Sequence, residues 1–200
     1  MLNLYIQEIE GLWCGVALER DRIFATTFAF SQEDALRSLL NELPHNSVFE
    51  VNQESNIFAK KILETIKAIC HGEDVSFDFP LALGRLSTYA KRVLRFTWMI
   101  PTGYVTTYGA LAKVAGGSPR SVGRVMATNP FAPLIPCHRV VAADMTLGGY
   151  GGGIKIKWSI LKKENRNFGK VVEARVNEKT LRLFPISMVK SSKRECDAHL

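Results

Sequence analysis

Asn129-Pro130-Phe131-Ala132-Pro133-Leu134-Ile135-Pro136-Cys137-His138-Arg139-Val140-Val141 is the sharpest stretch of the chain. A free cysteine is commonly a small buried hydrophobe. Cys137 differs in its setting: it follows Pro136, precedes His138-Arg139 and lies in a short apolar segment flanked by prolines. That setting predicts a rigid, buried position. A nucleophilic cysteine acts as the thiolate, so it needs a base or a positive potential nearby.

The residues upstream read as helices. Ser87–Ile100 is expected to be helical, with Ser87 as cap and Val93, Leu94, Phe96, Trp98 and Met99 as its apolar surface, and Pro101-Thr102-Gly103 ends it. Tyr104–Thr107 reads as a short extended piece, Tyr108–Ala115 as a short helix and Gly116-Gly117 as a turn. A second helix opens at Ser118-Pro119-Arg120 and runs to about Thr128, with Ser118 suited to the cap and Pro119 to the first turn. Two short helices across a glycine turn resemble a helix-turn-helix. The second carries small residues, Ser121, Gly123 and Ala127, between Arg120 and Arg124. A small-residue face can approach a narrow groove closely while the arginines reach phosphates, which suits the minor groove; the same glycine and alanine would equally permit tight helix packing.

Residues 1–85 read differently. Leu2–Ile9, Leu12–Leu18 and Arg22–Phe30 form an antiparallel meander of β-type runs. A helix over Ser31–Leu43 should bury Leu36, Leu39, Leu40 and Leu43, with Asp34 three residues after the capping Ser31. Ser47–Val51 reads as a further strand and Ile57–His71 as a helix burying Phe58, Ile62, Ile66 and Ile69; Asp74–Leu83 reads as an irregular linker. His45 and His71 read as surface residues.

Charge divides the chain in the same place. The net charge is +7, but residues 1–85 hold 7 basic and 13 acidic side chains (−6) and residues 86–200 hold 19 and 6 (+13). A basic second half reads as a polyanion-binding surface or as a solvated face. With 46% hydrophobic and 22% charged residues, the 200-residue chain has the balance of a soluble globular protein, not of a disordered or fibrous one. No apolar run is long enough to span a bilayer and no secretory signal is visible at Met1 to Gln7, so a cytoplasmic location is expected. Cys14, Cys70, Cys137 and Cys196 lie far apart, so neither a disulfide framework nor a metal site is expected.

From about Leu86 to Glu164 the chain resembles the O6-alkylguanine-DNA alkyltransferases, or methylated-DNA–protein-cysteine methyltransferases. The resemblance rests on Pro136-Cys137-His138-Arg139-Val140, Ile100-Pro101-x-Gly103, Thr107-Tyr108-Gly109-x-Leu111-Ala112, Arg120-Ser121-Val122-Gly123, Asn129-Pro130, Gly149-Tyr150-Gly151-Gly152-Gly153, Lys157 and Leu161-x-x-Glu164. It implies an α+β fold: an RNase-H-like α/β domain over 1–80, a helical domain with a winged helix-turn-helix over 81–168, and an extension over 169–200. It implies a suicide repair protein, a monomer acting on double-stranded DNA without cofactor. Such a protein binds the minor groove, flips out the damaged guanine and takes its O6-alkyl group onto Cys137. The resemblance makes His138 a base acting through a water, Glu164 its orienter, Tyr108 the aid to protonating the leaving guanine and Asn129 the brace of the Cys137 turn. Met126, Val140, Gly148, Tyr150, Gly151 and Lys157 would line or adjoin the base pocket, with the Cys137 and Val140 carbonyls accepting from the guanine amino group. Arg120 would fill the space of the flipped base, and Ser121, Gly123, Arg124, Ala127 and Arg139 would meet DNA.

Read without the resemblance, Tyr108 could be a core aromatic, Glu164 a surface acid and Arg120 a phosphate contact. Two positions depart from the family: Gly151 stands where a serine is frequent and Ala132 where some relatives have proline. Beyond Glu164, Lys170–Val176 and Thr180–Ile186 read as a hairpin around Asn177-Glu178; Ser187–Leu200 is polar and expected to fray, and Cys196 reads as an exposed bystander. Three other classes compete. A lesion-binding helix-turn-helix protein without chemistry would not need Cys137. A transcription regulator would show sequence-specific affinity, and a cysteine hydrolase would turn over repeatedly.

Overall fold

The computed structural model describes residues 1–176 and 178–190, so Asn177 and the tail with Cys196 lie outside the described residues. The described chain divides into two compact units. The first comprises Met1–Cys70, Asp74–Leu86 and Pro130–Leu134; the second comprises His71–Glu73, Ser87–Asn129 and the residues from Ile135 on.

The first unit is a four-stranded sheet with two helices. β1 (Leu2–Ile9), β2 (Leu12–Glu19) and β3 (Arg22–Ala29) form the expected antiparallel meander. Positive φ at both Glu10 and Gly11 gives the tight turn whose twist matches the flanking strands. β4 (Phe49–Asn52) adds parallel to β1, giving the order β3-β2-β1-β4. α1 (Gln32–Glu42) starts where Ser31 accepts from the Asp34 backbone N–H, and α2 is Ile57–Cys70. Ala35 and Leu39 form the buried stripe of α1; Leu40, expected inside, is 36% exposed because it lies one residue round from that stripe. The 74–83 segment is no free linker: the Ile23 N–H donates to Pro80 O and the Ala82 N–H to Ile23 O, each at 2.8 Å, covering the outer edge of β3.

The second unit contains α3 (Thr88–Trp98), β5 (Tyr104–Thr107), α4 (Tyr108–Ala115), α5 (Pro119–Ala127), β6 (Val140–Val141), α6 (Ile154–Glu164), β7 (Val172–Val176) and β8 (Lys179–Pro185). The expected helical half thus has its own sheet, in the order β6-β5-β8-β7. β5 pairs parallel with β6 and antiparallel with β8. Residues 187–190 are built into the unit and do not fray: Ile186–Met188 is a 3-10 turn and Val189 is buried.

Candidate active site

Three local decisions build the site. Thr107 caps α4 by accepting from the Ala110 N–H, which sets Tyr108 on its first turn. Gly116 and Gly117, both at positive φ, turn the chain into α5. There Ser118 and Ser121 satisfy each other's backbone N–H groups in a capping box, and the Tyr89 hydroxyl lies 2.7 Å from Ser121 Oγ. After α5 the chain reaches a 3-10 turn, Cys137–Arg139, all three residues of which are buried.

Cys137 opens into a cavity of about 540 Å³. Tyr108, Gly123, Met126, Ala127, Tyr150 and Gly151, all expected at the base pocket or the DNA face, share its wall. Pro119 and Gly149 also line it and were missed by the sequence reading, which assigned Pro119 only to a helix start and Gly149 only to a motif. Val140, Gly148 and Lys157 do not line it. Gly148 adopts φ +67°, and a Cβ there would approach the Tyr108 ring to 3.2 Å. The Tyr108 hydroxyl lies a long 3.4 Å from Gly149 O. Met126 Sδ accepts from the buried Thr97 hydroxyl at 3.8 Å.

Burial pushes the Cys137 thiol up; a hydrogen bond with Asn129, the Lys157 charge and a hydrogen bond with Tyr150 pull it back down. Asn129 also donates from Nδ2 to Ile135 O at 2.9 Å, tying the start of the proline segment to its end. Burial, and then a negative charge at Cys137, raise the Tyr108 hydroxyl, so it keeps its proton.

Behind the cysteine, His138 and Glu164 are fully buried, with His138 Nε2 and Glu164 Oε1 3.0 Å apart. Burial outweighs the carboxylate and lowers the His138 pKa. A neutral imidazole that donates from Nε2 to the carboxylate leaves Nδ1 as an acceptor, and Nδ1 has no hydrogen-bond partner among the described residues. Burial alone would raise the Glu164 carboxyl; His138 and Arg139 overcome it and hold it at about 2.

Arg139 corrects the expectation of a DNA contact. It is 8% exposed, and its guanidinium grips both Glu164 oxygens, Nε to Oε2 at 3.0 Å and Nη2 to Oε1 at 2.6 Å. Nη1 donates to Ile100 O at 2.6 Å and Nη2 also to Thr102 Oγ1 at 3.1 Å. A guanidinium so engaged is a structural counter-ion. Arg120 and Arg124 are exposed on α5, whereas the Ser121 hydroxyl is committed to the cap.

Lys157 is fully buried and donates from Nζ to Val140 O and Leu147 O, both at 2.6 Å. Burial lowers its ammonium to about 8 against the opposing pull of Cys137. The two carbonyls expected to read the guanine amino group are already engaged once, Cys137 O by the Val140 N–H and Val140 O by Lys157; each keeps a second lone pair. Among the described residues no group of three or more His, Cys, Asp or Glu side chains could hold a metal, and no helix is long and apolar enough to cross a membrane.

Fold and site together define a protein with a buried cysteine on a cavity wall, backed by a histidine–carboxylate pair and flanked by a short helix pair. Residues 88–166 match the family model for the 6-O-methylguanine DNA methyltransferase DNA-binding domain. A methylated-DNA–protein-cysteine methyltransferase of Methanocaldococcus jannaschii is 30% identical over 162 residues, 81% of this chain and 93% of that protein. One from Methanothermobacter thermautotrophicus is 43% identical over 106 residues, 52% of this chain. In that alignment and two others the chain spans 56–64% of the relative's length. The crystal structure of O6-methylguanine-DNA methyltransferase from Pyrococcus kodakaraensis superposes with a TM-score of 0.65 at 29% identity, covering 82% of this chain and 99% of that one. The chain belongs to the methylated-DNA–protein-cysteine methyltransferase family.

Proposed function

We propose that this protein repairs DNA by direct reversal, moving the alkyl group of O6-alkylguanine irreversibly onto Cys137. The observation that carries the reading is Cys137 on the cavity wall, next in the chain to His138, which is buried against Glu164. Minor-groove binding through α5 and extrusion of the guanine would bring O6 into the cavity, since a stacked base hides it. The Cys137 sulfur attacks the alkyl carbon and the carbon–O6 bond breaks, its electron pair passing to the guanine. The thiol proton leaves by way of His138 Nδ1 through a water, and the guanine gains one proton with help from Tyr108. Burial keeps the resting imidazole neutral; Glu164 orients it and stabilises the imidazolium that forms, as the acid does in a hydrolase triad. The thioether is stable, so each molecule acts once.

In this reading α4 and α5 form the helix-turn-helix of a winged domain and residues 1–80 an RNase-H-like domain. Arg120 fills the space of the flipped base, Arg124 meets phosphate, and Gly123 and Ala127 let α5 approach closely. A relative from Thermus thermophilus, 37% identical over 107 residues, is called a DNA base-flipping protein, which makes a lesion binder without chemistry the second reading.

The test is intact mass after incubation with duplex carrying O6-methylguanine, with Cys137→Ala alongside. One added methylene, mapped to Cys137 and absent from the variant, is expected. Lesion binding by a folded sample with no mass gain would refute the transfer and leave the second reading.

A further inference from the structure

We propose that Ile186–Lys190 is a positioning element of the site, holding the loop of residues 142–151 whose far end closes the Cys137 cavity. Its effect on reaction rests on the alkyl-transfer reading; its grip on the loop does not.

The loop needs an anchor. Five of the six residues from 148 to 153 are glycine, so its backbone loses an unusually large entropy on ordering. From one end Lys157 holds it through Leu147 O. The C-terminal segment supplies a second hold. The Lys190 N–H donates to Met145 O at 2.8 Å, and Thr146 and Lys190 pair as an isolated parallel bridge. Ile186 and Val189 are buried in one cluster with Val105, Val141, Leu147 and Leu161.

Those four partners are the near neighbours of the reactive groups. Val105, on β5, lies just before Tyr108 at the start of α4, Val141 follows the Cys137 turn, Leu147 precedes Gly149, and Leu161 lies between Lys157 and Glu164 on α6. The segment is itself held in register. β8 pairs Phe184 with Val105 and Pro185 with Tyr104, and the Ile186 N–H donates to Gly103 O. One short stretch therefore grips the loop and the roots of the other site elements together. It lies outside residues 88–166, the part that matches the family's DNA-binding domain.

Lys190→Pro removes the backbone N–H that donates to Met145 O. Val189, at φ −73° and ψ 131°, already has the conformation that a residue before proline adopts. Val189→Ala is the second variant. Folding is checked by circular dichroism, loop opening by amide exchange over 143–151, and reaction by single-turnover transfer at increasing duplex concentration. Exchange in the loop should rise about tenfold with α3 and α5 unchanged. The limiting transfer rate should fall about tenfold while the half-saturating duplex concentration moves less than about twofold. Loop exchange equal to wild type in the folded variants overturns the proposal, and so does faster exchange with an unchanged limiting rate. If the wild type itself transfers nothing, the proposed function fails, and the exchange measurement still decides whether the segment holds the loop.

Discussion

Replacing Arg139 by methionine separates two roles that one arginine could play. The substitution keeps most of the apolar stem and removes the charge. It strips both guanidinium hydrogen bonds from Glu164, which is fully buried, and leaves Ile100 O without its donor. Breaking a buried ion pair by deleting one partner costs about 3–5 kcal/mol. The stranded carbonyl adds about 1 kcal/mol. At about 2–4 °C per kcal/mol for a protein of this size, Tm should fall by about 10–20 °C. His138 then remains as a partner of Glu164; the Arg139 charge that helps keep the imidazole neutral is gone, so the His138 pKa should rise.

Thermal unfolding followed by circular dichroism reads the first effect. Duplex affinity from 50 to 200 mM salt, measured well below the new Tm, reads the alternative. A residue neutralising one phosphate would lower the slope of log K against log salt by about 0.9 and leave Tm in place. A fallen slope with an unchanged Tm would refute the buried counter-ion. Adding Glu164→Gln to Arg139→Met removes both ions, so the double variant should be less destabilised than the two single effects combined, by about 2 kcal/mol.

Two further outcomes follow from the buried charges. Glu164 is held at about 2 against an ordinary 4.5, so its contribution is complete above pH 4.5 and disappears as the pH falls through 2. A shift of that size corresponds to about 3 kcal/mol, so the stability gap between wild type and Glu164→Gln should close over that window; a constant gap would contradict the ion pair. Lys157 favours the Cys137 thiolate through its charge, so in Lys157→Met the midpoint of the pH dependence of iodoacetamide labelling at Cys137 should rise. An unmoved midpoint would show that the two charges do not communicate.

The meander of the first unit was readable because its strands are short runs of β-type residues separated by turn residues, Glu10-Gly11 and Glu19 to Asp21. So were α4 and α5, whose caps are local chemistry. So were three strands of the second sheet, β5 as an extended piece and β7 and β8 as a hairpin, but their joining with β6 into one sheet was not. β6 is two residues long, too short for any period, and the pairing of Val105 with Phe184 joins residues 79 apart in sequence. Arg139 misled for a related reason. Beside Cys137-His138 in a basic half it looks like a solvent-facing cation, and its burial depends on Glu164, which lies 25 residues on.

α6 shows why the site and its helix were hard to read together. Its buried stripe is Lys157, Ile160, Leu161 and Glu164, at the spacing of one helix face. Half of that stripe is charged, so a search for apolar periodicity passes over the helix. The same two residues are its functional content: Lys157 holds the loop carbonyl and Glu164 holds His138. Each is expensive to bury alone, and each is tolerable because its partners are already in place within the fold. The arrangement therefore specifies more than it stabilises. Glu164 fixes which imidazole nitrogen carries the proton, Arg139 fixes Glu164, and the other nitrogen is the one that the proposed transfer would use to take the cysteine's proton. A helix with a fully apolar stripe could give a more stable core, but it would leave that choice of tautomer unmade.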